Sequence, residues 1–85
     1  MSRGATVAAV ADGTERVASQ RIANALRRSI LAGEVLPGEW IRQEEVAERL
    51  GASRLPVREA LRMLESEGLI EHQPSAGRQL VRPRY

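Results

Sequence analysis

The run Leu50-Gly51-Ala52-Ser53-Arg54-Leu55-Pro56-Val57-Arg58-Glu59-Ala60-Leu61 constrains the fold more than any other part of the chain. Gly51 is suited to closing a helix and Ser53 to capping the next, with a three-residue turn between the two helices. A turn that short swings the second helix steeply across the first and leaves its N-terminal end projecting outward. Arg54 stands at that end, Arg58 one turn later and Arg62 one turn further. The spacing predicts a helix-turn-helix, the geometry in which the second helix enters the major groove of a DNA duplex.

The surroundings complete the pattern. Residues 1–16 are Ala, Gly, Thr and Ser with scattered charge and read as a flexible N-terminal arm. A helix follows over 17–32, where Ile22, Leu26 and Ile30 recur every four residues and Ala23 widens the stripe. Gly33 is its C′ residue, Pro37 and Gly38 turn the chain, and Trp40 and Ile41 suit a short strand. The second helix is expected over 43–50, burying Val46, Ala47 and Leu50. The third, over 53–67, carries Val57, Ala60, Leu61 and Leu64 as its inward stripe. Pro56 at the third helical position gives up only an N–H without an intrahelical partner, so the Ser53 hydroxyl is expected to bond the Leu55 N–H instead. Gly68 ends that helix. Residues 69–73 and 78–82 read as strands joined by a turn at Pro74, Ser75, Ala76 and Gly77. Three helices followed by a hairpin, mainly α with a small β hairpin, make a winged helix-turn-helix over 17–82. Its helix-turn-helix falls at about 43–62 and its wing at about 69–82, and a tail covers 83–85.

Composition narrows the chemistry. Eighty-five residues make one small domain with a modest core. Only Trp40 and Tyr85 are aromatic, so that core is aliphatic. There is no cysteine, hence no disulfide and no thiolate metal site, which suits a reducing cytoplasm. His72 is the single histidine, and no nucleophile–base pair, paired-carboxylate pocket or phosphate loop can be assembled. The expectation is no enzyme, no cofactor and no metal. No apolar run reaches membrane-spanning length, and the short Ala/Val stretch after Arg3 is too poor in large apolar residues for a signal peptide. The net charge is only +2, so its placement matters more than its size. Residues 53–62 hold three arginines against Glu59, whereas the helix before them carries Glu44, Glu45 and Glu48. All thirteen basic residues are arginine, whose planar fork suits phosphate and guanine.

The chain resembles the GntR family of bacterial transcription regulators in its FadR-type branch, which commonly reads Leu-Gly-Val-Ser-Arg-Thr-Pro-Val-Arg-Glu-Ala-Leu over the run quoted above. The likeness extends across about 17–82 and takes in Gly33, Pro37-Gly38, Val46-Ala47, Leu64, Glu67-Gly68-Leu69 and Gly77 in the family's order. It implies the winged-helix DNA-binding domain of a cytoplasmic repressor or activator, acting as a homodimer on a palindromic double-stranded operator. It also implies a larger C-terminal domain that senses an effector metabolite and supplies most of the dimer contact. No residues for that domain follow Tyr85. The expectation is a fragment or truncated regulator, or one that acts through another subunit. Three positions depart from the family. Arg42 and Gln43 stand where a serine cap and glutamate are usual, Glu44 where some members place a DNA-contacting arginine, and Leu55 where threonine is usual.

The expected DNA contacts are Ser53, Arg54, Leu55, Arg58 and Arg62 on the recognition helix 53–67, and Gly77 and Arg78 on the wing. Arg54 and Arg58 present forks to guanine or phosphate, while Ser53 and the adjacent amides suit a phosphate. Gly77 lets the wing backbone approach a groove or a phosphate, and Arg78 grips a phosphate. The same arginines would also serve as a solvated helix face, with Arg58 pairing to Glu59 or Glu65. The matching rival function is a winged-helix module for protein–protein contact. His72 reads as a strand-surface residue and Trp40 as packing over the helices, with Arg3 and Arg16 as minor-groove candidates on the arm.

Overall fold

The computed structural model describes the backbone of residues 3–73 and 78–83, and the side chains of 16–73 and 79–83. Three helices, α1 (Arg3–Leu31), α2 (Gln43–Leu50) and α3 (Arg54–Ser66), pack with strands β1 (Trp40–Ile41), β2 (Ile70–Gln73) and β3 (Arg78–Val81). The strands form one antiparallel sheet in the order β1-β3-β2. The expected hairpin is thus two strands of a three-stranded sheet, because the Trp40–Ile41 segment adds to the free edge of β3. Trp40 lies opposite Leu80 and Ile70 opposite Val81.

The stripes predicted from periodicity are the core. Ile22, Ala23 and Ile30 of α1, Val46 of α2 and Val57, Ala60, Leu61 and Leu64 of α3 are buried together with Ile41, Ile70 and Val81. Two expectations need correction. Leu50 is 47% exposed rather than buried, since it is the last residue of α2 and lies a turn beyond Val46. Helix α1 begins at Arg3, not near 17, so helical backbone runs through most of the stretch expected to be a flexible arm. Ala5, Ala8, Ala9 and Ala11 are the strongest helix formers, and no proline interrupts them.

All three helices end in the same way. After α1 the Gly33 N–H bonds the Ile30 carbonyl (3.1 Å) and the Glu34 N–H bonds that of Ser29 (2.9 Å), a Schellman motif. Corresponding pairs of bonds close α2 at Gly51 and Ala52, and α3 at Gly68 and Leu69. Between α1 and β1, Leu36, Pro37, Gly38 and Glu39 form a type II turn, with the Glu39 N–H on the Leu36 carbonyl at 3.0 Å.

One ion pair fastens α1 to the end of α3. Arg27 donates from Nε (2.7 Å) and Nη2 (2.6 Å) to the two oxygens of Glu67, and from Nη1 (2.7 Å) to Asn24. These hydrogen bonds hold the Glu67 carboxyl below the usual glutamate range and raise the Arg27 guanidinium. Glu67 sits at the C-cap of α3, where the helix dipole disfavours an anion, so Arg27 also offsets a local electrostatic cost. A carboxyl lowered on folding stabilises fully above its ordinary value of 4.5 and loses that contribution as pH falls through the lower folded value. Thermal melts of the wild type should therefore decline from about pH 5 downward more steeply than those of Glu67→Gln. Side-chain exposure of 38% at Glu67 keeps the difference small through screening. Parallel pH profiles for the two proteins would show that the pair contributes nothing.

Candidate nucleic-acid interface

The turn between α2 and α3 depends on Gly51. Its φ of 61° and ψ of 36° are left-handed, a region that an L side chain enters only at a cost. A Cβ there would meet nothing within 4 Å, so the requirement is conformational and not steric crowding from neighbours. Gln43 adds a tie between the first turns of the two helices, its Nε2 donating to the Arg54 carbonyl at 3.4 Å. Pro56 and Val57 are buried while Ser53, Arg54, Leu55 and Arg58 are exposed, so one side of the first turns of α3 is anchored and the other faces out. The sequence-derived residues of α3 are thus brought together on one projecting helix end.

Their surroundings differ. Ser53 caps α3 in extended conformation (φ −81°, ψ 166°) but makes no side-chain cap hydrogen bond, which corrects the expected bond to the Leu55 N–H. With a proline at the next capping position, the hydroxyl remains solvent-facing, beside the open amides of the first turn. Arg54 places Nη2 3.8 Å from Oε1 of Glu44, both side chains being largely exposed. Arg62 pairs with Glu59 at 3.2 Å along the same helix. Arg58 makes no ion pair or side-chain hydrogen bond among the described residues, so the alternative reading, a pairing with Glu59 or Glu65, is absent. Exposed pairs of this kind contribute about 0–1 kcal/mol, little enough for a phosphate to displace either carboxylate. Leu55, 45% exposed, adds an apolar side chain to the same tip.

Arg58 and Arg62 border a crevice between α3 and the sheet, lined also by Gln43, Leu61, Glu65, His72 and Gln79. Gln79 is buried at its base. Its Nε2 donates to Oε2 of Glu65 (3.1 Å) and lies 3.0 Å from Nδ1 of His72. An amide nitrogen only donates, so Nδ1 of His72 is the accepting atom of this contact. The network fixes the wing strands against the recognition helix. The sequence motifs alone do not point to Gln79, nor to the roles that Gln43 and Glu65 take here. The available signal was Gln79 itself, a polar residue two positions before Val81 on the inward side of β3. Trp40, expected to pack, is 42% exposed.

On the wing, Arg78 opens β3 opposite Gln73, and its side chain lies outside the described residues, as does Gly77 altogether. Arg16 is exposed on α1, and Arg3 begins that helix with its side chain outside the described set. Among the described residues no group of three or more His, Asp or Glu side chains could hold a metal ion. No helix there is long and apolar enough to cross a membrane.

Comparison with known proteins agrees with this geometry. Residues 18–79, more than half of the chain, match the family described as bacterial regulatory proteins, gntR family. The chain is 41% identical over 59 residues to the HTH-type transcriptional repressor RspR of Escherichia coli (strain K12), covering 69% of this chain and 26% of that protein. It is 44% identical over 48 residues to the HTH-type transcriptional regulator YdhC of Bacillus subtilis (strain 168), covering 56% and 21% respectively. The chain therefore spans roughly a quarter of the length of these curated relatives. A GntR family transcriptional regulator from Pseudomonas syringae pv. tomato superposes with a TM-score of 0.72 at 39% identity, over 81% of this chain and 29% of that one.

Proposed function

The chain belongs to the gntR family of bacterial regulatory proteins, and on that premise we propose that it is the sequence-specific DNA-binding module of a transcription regulator of the FadR-type branch. In this reading α3 enters the major groove of an operator half-site. The observation that carries it is Arg58, exposed and free of ion pairs among the described residues, standing on a helix whose opposite face is buried. A packed scaffold fixes where that guanidinium starts, and no neighbouring carboxylate holds it back. Arg54 offers a second fork at the helix mouth, with Arg62 a turn beyond Arg58. The uncapped Ser53 hydroxyl and first-turn amides suit a phosphate. Leu55 adds apolar contact, and Gly77 and Arg78 reach a second groove or phosphate from the wing. The module works as a homodimer on a palindromic site, with effector control supplied by a further domain.

Fluorescence anisotropy with duplex DNA across a salt series tests this. Neutralising about four to six phosphates gives a slope of log affinity against log salt near −0.9 per contact. Arg58→Ala or Arg54→Ala should each weaken binding by about 1–3 kcal/mol and relax the preference at one half-site position. The melting temperature should barely move, because neither side chain belongs to the core. A salt slope near zero would indicate a protein partner instead. If Arg58→Ala unfolds the domain while its folded fraction binds as before, the arginine is structural.

A further inference from the structure

We propose that Glu44, together with Arg54, is a specificity-determining residue that reads a single G·C pair. The inference rests on the DNA-binding reading above and extends it to a residue at which the chain departs from its family. Glu44 lies in the first turn of α2 and Arg54 in the first turn of α3, and both side chains are exposed. Their exposed side chains meet at 3.8 Å, and the Gln43 bond to the Arg54 carbonyl holds the two turns in register.

A carboxylate at this place is costly on nonspecific DNA, because it faces phosphates and competes with them for Arg54. It becomes favourable where it has a donor to accept from. Across the major groove a G·C pair displays two acceptors on guanine (N7 and O6) followed by one donor, the cytosine amino group. Arg54 supplies two donors from its fork and Glu44 an acceptor beside them, which is the complementary order. An A·T pair presents acceptor, donor, acceptor, so it would set the adenine amino group against the guanidinium and thymine O4 against the carboxylate. The acidic residue thereby sharpens selection by setting an acceptor against an acceptor at every wrong pair, a penalty added to the one the arginine donors already impose.

The test uses the 85-residue chain and a preferred duplex selected from a randomised pool. The half-site position read by Arg54 is the one at which Arg54→Ala flattens the base preference. At that position the wild type should favour G·C over A·T by about tenfold or more. It should also bind about tenfold more weakly when the cytosine is replaced by pyrimidin-2-one, which lacks the amino group. Glu44→Ala should tolerate that replacement, bind non-cognate duplex more tightly than the wild type, and keep the wild-type melting temperature. Glu44→Gln retains an acceptor oxygen and should keep part of the discrimination. The proposal is overturned if Glu44→Ala tightens binding to all duplexes by one common factor, or if the wild type is indifferent to loss of the amino group. Absence of any sequence-dependent duplex binding by the wild type would overturn this proposal and the DNA-binding reading together.

Discussion

Two copies of the chain joined in tandem are expected to bind a palindromic site about 10²–10⁴ times more tightly than one copy binds its half-site. A single domain inserts one short helix, so its contacts are few and its affinity modest. Joining a second copy makes the second binding event intramolecular. The gain requires a linker that spans the half-site separation, one helical turn of about 34–36 Å or a multiple of it. About 40 residues of Gly and Ser reach that distance at about 5–6 Å per square root of residue number. Titrating the tandem protein against palindromic and single half-site duplexes measures the effect. Equal affinities for the two duplexes would rule out symmetric half-site recognition.

Leu64→Ala is expected to cost about 2–5 kcal/mol of folding stability. Leu64 is fully buried in the cluster that joins α3 to α1 and the sheet. A chain of 85 residues has only about 4–13 kcal/mol in total. The variant should therefore lose a large share of its stability, and any loss of DNA binding should track the unfolded fraction and not a lost contact. Leu50→Ala and Leu55→Ala, at exposed positions, should stay within about 0.5 kcal/mol of the wild type. Urea unfolding midpoints for the three variants separate these cases. A loss below about 1 kcal/mol at Leu64 would be out of line with large-to-small substitutions in packed cores and would contradict the core described above.

The contrast among these leucines shows what the sequence made legible. Val57, Ala60, Leu61 and Leu64 recur with helical period, and burial follows period wherever a helix continues far enough to pack on both sides. Leu50 has the right spacing, but the helix stops there and the neighbouring turn does not cover it. Glycines 33, 51 and 68 marked the three helix ends correctly because αL termini are a local backbone property. The start of α1 was misplaced because residues 3–16 carry no large-apolar stripe of helical period, and the helix propensity of their alanines was left out of account. At the candidate interface, the arginine row is legible because it is written in consecutive turns of one helix. Its partners are not. Glu44 approaches Arg54 across a turn, Gln79 reaches Glu65 from another element, and Arg27 meets Glu67 forty positions away. Such pairings are set by tertiary packing, which no periodicity encodes. The absent Ser53 cap bond belongs to the same class, since a hydroxyl with one candidate donor left is decided by small shifts in the turn.

The order of the sheet has a consequence for how the molecule is made. β3 is the last strand in the chain and the middle strand of the sheet. As the polypeptide leaves the ribosome, both β1 and β2 emerge before the strand that pairs with either of them. α3 packs against both α1 and α2, and all three helices emerge before β3, so they can begin to collapse during synthesis, but Trp40 waits for Leu80 and Ile70 for Val81. Closure of the sheet is thus a late event that seals an early and a late segment of the nascent chain at once. Until it occurs, the edges of β1 and β2 are open to pairing with other chains, and the recognition helix lacks the strands that brace it through Gln79.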